Sequence, residues 1–134
     1  MINMILKNTI TWFEIPSTDI NRAQKFYEAI LDITMISIDF PHQMKIFPTE
    51  NPMNITGAIC FNPEFYTPSE KGTLVYLNGN PDVQKILDKI EDAGGQIVIP
   101  KLEVSAEHGY IAVFMDTEGN RVGLHSVPMG QKVV

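Results

Sequence analysis

One order of elements, strand then helix then three short strands, runs through this chain twice and constrains the fold more than any single motif. Residues 9–15 (TITWFEI) alternate apolar with polar side chains, the period of a half-buried strand. Residues 16–19 then supply turn and capping types, and from Ile20 the period becomes helical. Ile20, Ala23, Phe26, Tyr27, Ile30 and Leu31 recur three and four apart, so they share one face, while Asn21, Arg22, Gln24, Lys25 and Glu28 take the other. That helix is expected to end near Asp32. Apolar segments at 35–38, 43–47 and 56–61, set among Pro41, Pro48, Pro52 and Pro63, read as brief antiparallel strands. A shift from Thr11 to Thr73 finds the same grammar: TLVYL is a strand, and NGNP is a turn with Asn80 expected at the N-cap and Pro81 at the first helical position. Val83, Ile86, Leu87 and Ile90 form the second helical face, Gly94 and Gly95 end it, and strands are expected at 96–99, 110–116 and 121–127. The expectation is an α+β fold of paired βαβββ modules within one domain spanning residues 1–134. Module one covers about residues 1–65 and module two about 70–130. On pattern alone, a ferredoxin-like α+β domain with extra strands fits the same elements.

Composition narrows the function classes. At 134 residues and 44% hydrophobic content the chain can bury one core. Ten basic against 16 acidic residues give a formal charge of -6, which disfavours nucleic acid and anionic membranes as partners. No apolar run approaches the roughly 20 residues a membrane span needs, and residues 1–10 lack the layout of a signal peptide, so the expected compartment is the cytoplasm. Cys60 is the single cysteine, which excludes an internal disulfide and a multi-cysteine zinc site.

The segments WFEIPSTDINRAQKFYEAIL, GTLVYLNGNPDVQKILDKIEDAGGQIVIPK and GYIAVFMDTEGNRVGLHS together resemble the vicinal oxygen chelate superfamily, in particular its small glyoxalase-related bacterial branch. The superfamily includes glyoxalase I, bleomycin-resistance proteins, fosfomycin-resistance enzymes and extradiol dioxygenases. The resemblance implies modules whose strands form a curved mixed sheet around a ligand-holding cup, commonly in a homodimer. Metal-binding members place His or Glu at four cup-facing positions, on the first and last strand of each module. Carried across by motif, these positions fall on Trp12, on Ala58 or Cys60, on Leu74 or Thr73, and on Gly123. Trp, Ala, Leu and Gly offer no donor for a divalent cation, and a lone thiolate or hydroxyl would not hold one. The expectation is a cup without metal or other cofactor, and glyoxalase I activity does not follow from the resemblance.

If Trp12 faces the cup, strand alternation puts Glu14 beside it and sends Phe13 and Ile15 toward the helices. By the same rule Arg121, Gly123 and His125 face the cup while Val122 and Leu124 lie beneath the helices, and the Leu74 register turns Tyr76 inward. Glu14, His125 and Tyr76 are therefore the catalytic candidates, and Trp12, Cys60 and Arg121 the ligand-binding ones. Plainer readings stand beside them. A carboxylate in an apolar strand is costly to bury unless paired, so Glu14 is solvated, paired with a cation such as Arg121, or poised for proton transfer. Trp12 stacks on a ligand or belongs to the core. Cys60 reads as a small buried hydrophobe. His42 and His108 fall on expected loops, the latter on a flap that Gly109 could hinge. Two functions stay open. One is a lyase or isomerase related to lactoylglutathione lyase, with Glu14 or His125 moving a proton beside a carbonyl and Tyr76 or Arg121 stabilising the oxyanion. The other is a non-catalytic module that sequesters a small molecule, as bleomycin-resistance proteins do. A titratable residue deep in the pocket marks the first; a wide aromatic groove without a buried acid or base marks the second.

Overall fold

The computed structural model describes residues 7–132. Its elements run β1 (Trp12–Pro16), α1 (Ile20–Leu31), β2 (Ile36–Ile38), β3 (Gln43–Ile46), β4 (Thr56–Phe61), β5 (Tyr76–Asn78), α2 (Val83–Ala93), β6 (Gln96–Ser105), β7 (Gly109–Met115) and β8 (Arg121–Ser126). They build two four-stranded mixed sheets of order β1-β4-β3-β2 and β5-β8-β7-β6. In each sheet the first strand of the module lies parallel to the last and the remaining pairs are antiparallel. No helix among the described residues is long and apolar enough to cross a membrane.

The repeat is visible in individual hydrogen bonds. Glu14 pairs with Ala58 in the first sheet and Tyr76 with Gly123 in the second. Ser17 N–H donates to the Cys60 carbonyl at 2.9 Å, and Gly79 N–H donates to the His125 carbonyl at 2.7 Å. Glu14 and Tyr76 are thus counterparts, as are Ala58 and Gly123, and Cys60 and His125. Of the alternatives open in the sequence, Ala58 is the counterpart of Gly123, and Leu74, two places before Tyr76, is the counterpart of Trp12.

Asp19 caps α1 by accepting from Arg22 N–H, and Asp32 ends it in a left-handed conformation, φ 54°. The second helix starts later than its sequence suggested. Asp82, not Asn80, is its N-cap, accepting from Gln84 N–H at 2.9 Å, because the Asn80 side chain is occupied in accepting Val127 N–H at 2.8 Å. Strand β6 also exceeds its expected 96–99 span. Pro100 would stop a central strand, but β6 lies at the sheet edge, where its missing N–H breaks no ladder bond, and its pairing with β7 carries three register shifts.

Both helices lie on one side of the sheets. Phe26, Tyr27 and Ile30 from α1, Ile86, Leu87 and Ile90 from α2, Ile15 and Ile59 from the first sheet, and Phe114, Val122 and Leu124 from the second share one core cluster. Burial of such side chains supplies most of the stabilisation, about 1.5–3 kcal/mol each. The opposite faces of the sheets carry Trp12 and Glu14, and Tyr76 and His125, as alternation predicts.

The turn between β7 and β8 fastens the modules together. Glu118, buried, accepts from the backbone N–H groups of Thr18 and Asp19 at 2.9 and 2.8 Å and from Arg22 Nε at 2.8 Å, so a carboxylate closes the N-terminus of α1. Burial opposes its charge, yet the Arg22 bond and the Asp19, Thr117 and Thr18 donors hold its carboxyl at about 2. Beside it Asn120 Nδ2 donates to the Pro16 carbonyl at 2.7 Å, and the buried Tyr27 hydroxyl donates to Asp116 at 2.7 Å.

Candidate functional site

In module two the exposed sheet face and the β6–β7 hairpin enclose an open cavity of about 660 Å³, lined by Tyr76, Asn78, Val104, His108, Ile111 and His125 among others. The Tyr76 ring lies across Gly123: a Cβ there would come within 2.6 Å of it. The space in which metal-binding relatives would present a ligand side chain is thus filled by a phenol ring. Its counterpart Ala58 is fully buried and carries no donor. Among the described residues no group of three or more His, Cys, Asp or Glu is placed to hold a metal ion. The residues do not fit the superfamily's metal centre.

His125 Nε2 lies 2.6 Å from the His108 carbonyl oxygen. A carbonyl only accepts, so this nitrogen donates, and in the neutral ring Nδ1 is left as the acceptor. The hairpin itself is pinned by Ser105, whose hydroxyl accepts from His108 N–H at 3.0 Å and lies 2.9 Å from His108 Nδ1. His108 therefore enters the cavity wall through a braced turn.

Module one presents a different surface. Glu14 accepts from the Tyr66 hydroxyl at 2.6 Å and from Trp12 Nε1 at 3.2 Å, so each carboxylate oxygen has a donor. Burial pushes its carboxyl up, but the bonds from Tyr66 and Trp12, aided by Cys60 and the nearby His42, hold it below the usual carboxylate range. The Tyr66 phenol moves upward, through burial and through its bond to Glu14. Cys60 is fully buried beside them, its thiol pushed up to about 12 by burial and by the Glu14 charge. Tyr66 belongs to an aromatic group in which the His42 ring stacks on Phe65 at 5.7 Å and meets Tyr66 edge-on at 5.3 Å.

A second, smaller cavity of about 180 Å³ lies where the two modules meet, and Glu14 and Arg121 both line it. They form no ion pair. Arg121 donates to the Gly72 carbonyl at 3.3 Å, and the partners of Glu14 are Tyr66 and Trp12.

The structure does not bring the six candidate residues into one place. Tyr76 and His125 line the large cavity, Glu14 and Arg121 the small one, Trp12 stands beside Glu14, and Cys60 is sealed beneath. Pairing of Glu14 with Arg121 is replaced by neutral donors. Tyr66 was missed because it lies in FNPEFYTP, a proline-flanked stretch that reads as a connection between modules; its run of aromatics was the available signal.

Comparison with known proteins agrees with this architecture. The family model described as Glyoxalase/Bleomycin resistance protein/Dioxygenase superfamily matches residues 9–124. A glyoxalase/bleomycin resistance protein from Albidiferax ferrireducens superposes with TM-score 0.73 at 15% identity, covering 90% of this chain and 100% of that one. TnmS3, an antibiotic binding protein from Streptomyces, gives 0.59 at 16% identity over 92% of this chain and 99% of that one. The fosfomycin resistance protein FosX from Listeria monocytogenes, in complex with Mn(II), gives 0.60 at 15% identity over 92% and 94%. No curated protein sequence matches the chain. Identities this low speak for the fold alone.

Proposed function

The chain belongs to the Glyoxalase/Bleomycin resistance protein/Dioxygenase superfamily, and from that premise we propose that it binds a small organic molecule with a flat apolar part in the module-two cavity, without metal and without turnover. The observation that carries this reading is the state of Glu14. A general base must take a proton, and two donors that stabilise the ionised carboxylate weaken it for that task. Glu14 also lines a different cavity from Tyr76 and His125, so an acid–base pair across one substrate is not supported. The large cavity offers the Tyr76 ring and the apolar side chains of Val104 and Ile111, with Asn78, Asn80, His108 and His125 around them, a surface suited to stacking with a few directed hydrogen bonds. The antibiotic binding protein TnmS3 shares this fold, so the fold is compatible with a sequestering role.

The same reading favours a homodimer. Trp12, Ile36, Ile38, Tyr76, Leu102 and Val104 stand exposed on the sheet faces turned away from the helices, and a second copy laid against them would wall in a cavity that one chain leaves open. Sedimentation at micromolar concentration is expected to show a species of twice the 15.1 kDa chain mass. Only a 15.1 kDa species would overturn the dimer. For the ligand, a thermal-shift screen of planar aromatic compounds is expected to yield a binder whose affinity falls about tenfold or more in Tyr76→Ala. Mass spectrometry should recover that compound unchanged. A product that forms with wild type and fails to form with His125→Ala would replace this reading with the enzyme.

A further inference from the structure

The small cavity at the module junction is a separate chemical environment from the large one. Glu14 and its neighbours line the small cavity from module one, and Arg121, Lys71 and Thr73 line it from module two. Among the described residues the ion pairs are Arg22 with Glu118 and Lys101 with Asp82, so neither cation lies within 4.0 Å of Glu14. Here Glu14 is tied back by Tyr66 and Trp12, and Arg121 by the Gly72 carbonyl. Ile15, Val75 and Val122 also line the cavity and add apolar surface.

We infer that this cavity is a binding site for a small zwitterion of the α-amino acid type, its ammonium directed to Glu14 and its carboxylate to Arg121 and Lys71. Size is compatible with the class: a cavity of about 180 Å³ admits a small molecule and not a bulky one. Charge supports it. An anion alone would sit against Glu14 in a chain of net charge -6, and a cation alone would sit against Arg121 and Lys71. A guanidinium offers a planar fork that matches a carboxylate, which gives the orientation. The site does not depend on the aromatic ligand proposed above, since it shares none of the residues named for that cavity.

The test is a titration of the full chain with L-alanine, acetate and methylammonium, followed by NMR of the backbone amides of Lys71 and Thr73 and of the Arg121 side-chain N–H groups. L-Alanine is expected to saturate these shifts at millimolar concentration and to bind at least tenfold tighter than either single-charge probe. Glu14→Gln and Arg121→Gln should each weaken it about tenfold, with wild-type circular dichroism and amide spectra away from the cavity showing that both variants are folded. Acetate binding as tightly as alanine would overturn the zwitterion assignment. So would alanine binding that survives either substitution, or no saturable shift with any probe up to 100 mM.

Discussion

Two walls built on one backbone plan carry different chemistry. Where module one has Glu14, module two has Tyr76; Ala58 corresponds to Gly123, and Cys60 to His125. The module-one wall is a carboxylate clamped by aromatic donors over a sealed thiol. The module-two wall is an open aromatic face with a histidine edge. The difference teaches that repetition here fixes strand pairing and core packing while leaving the cup-facing positions free to diverge, because a side chain turned away from the helices contributes little to the shared core. The turns diverge as well. The β7–β8 turn of module two docks Glu118 on the start of α1, whereas among the described residues no side chain of the β3–β4 connection bonds to the start of α2.

The largest expected effect breaks that one-sided latch. Glu118→Ala strands two N–H groups at the start of α1 and leaves the Arg22 side chain without its carboxylate, which should cost about 3 kcal/mol and lower Tm by about 10 °C. Glu118→Gln isolates the charge. Its carboxyl falls from 4.5 to about 2 on folding, so the charge contributes stability above pH 4.5 and loses it as pH falls toward 2. The deficit of Glu118→Gln against wild type should therefore be full at pH 7 and absent near pH 2. A deficit that does not change between those limits would mean that shape, not charge, holds the modules.

Next in size is a pair of glycine substitutions. A Cβ on Gly57 would strike the Phe13 carbonyl oxygen and ring on the core side of the first sheet, where backbone has to move, so Gly57→Ala should cost about 2–3 kcal/mol. The atoms nearest to a Cβ on Gly123 all belong to the Tyr76 ring, the first at 2.6 Å, and that side chain is 47% exposed and free to swing into the cavity. Gly123→Ala should cost about 1 kcal/mol or less and yet weaken cavity ligands, since the ring they stack on is displaced. Denaturant melts of both variants check the order; the reverse order would make the module-two wall the rigid one.

What could be read from the residues follows the same division. Ile20, Ala23, Phe26, Tyr27 and Ile30, and Val83, Ile86, Leu87 and Ile90, are buried as their spacing predicts, because period 3.6 is imposed by one continuous core. Strand β4 spans Thr56–Phe61 as expected. The cap at Asp82 was obscured by a competitor: Asn80 is an equally good cap by type, and only the fold shows it bonded to Val127. The length of β6 was hidden by Pro100, since edge position is a tertiary property. Facing direction was legible for Glu14 and His125 through alternation, but their partners Tyr66 and His108 come from connections 52 and 17 residues away, a distance no local period spans.

A smaller effect sharpens the contrast between the two tyrosines. Tyr66→Phe removes the 2.6 Å donor to Glu14, so the Glu14 carboxyl should titrate at higher pH than in wild type, while Tyr76→Phe leaves it where it is. Because Glu14 is lowered on folding, its contribution is present above the unfolded value of 4.5 and is lost as pH falls below it. The stability lost in Tyr66→Phe should be under about 1 kcal/mol at pH 7, as Glu14 is largely solvated, and should fade in acid. Side-chain carbonyl NMR of Glu14 follows the titration. An unmoved midpoint in Tyr66→Phe would assign the lowered value to Trp12 and His42 instead.

The smallest effect concerns Cys60 and His125, counterparts in the repeat with opposite access. Cys60 has no exposed surface and its thiol is pushed up to about 12, so at pH 8 only about one molecule in 10⁴ carries the thiolate that reacts with a disulfide reagent. Burial and ionisation act together here, since the Glu14 charge beside the thiol disfavours a second negative charge in the same place. His125 lines the open cavity, which gives a small acylating reagent a route to its ring. Treatment of the native protein with an aromatic disulfide should label Cys60 far more slowly than the denatured chain, in proportion to the small open fraction, with a rate that rises steeply in denaturant. Diethyl pyrocarbonate should modify His125 in the native state, and a ligand in the cavity should slow that reaction while leaving the thiol rate almost unchanged. Rapid labelling of native Cys60 would show that the module-one wall opens as readily as its counterpart, and the division between a sealed and an open half would fall with it.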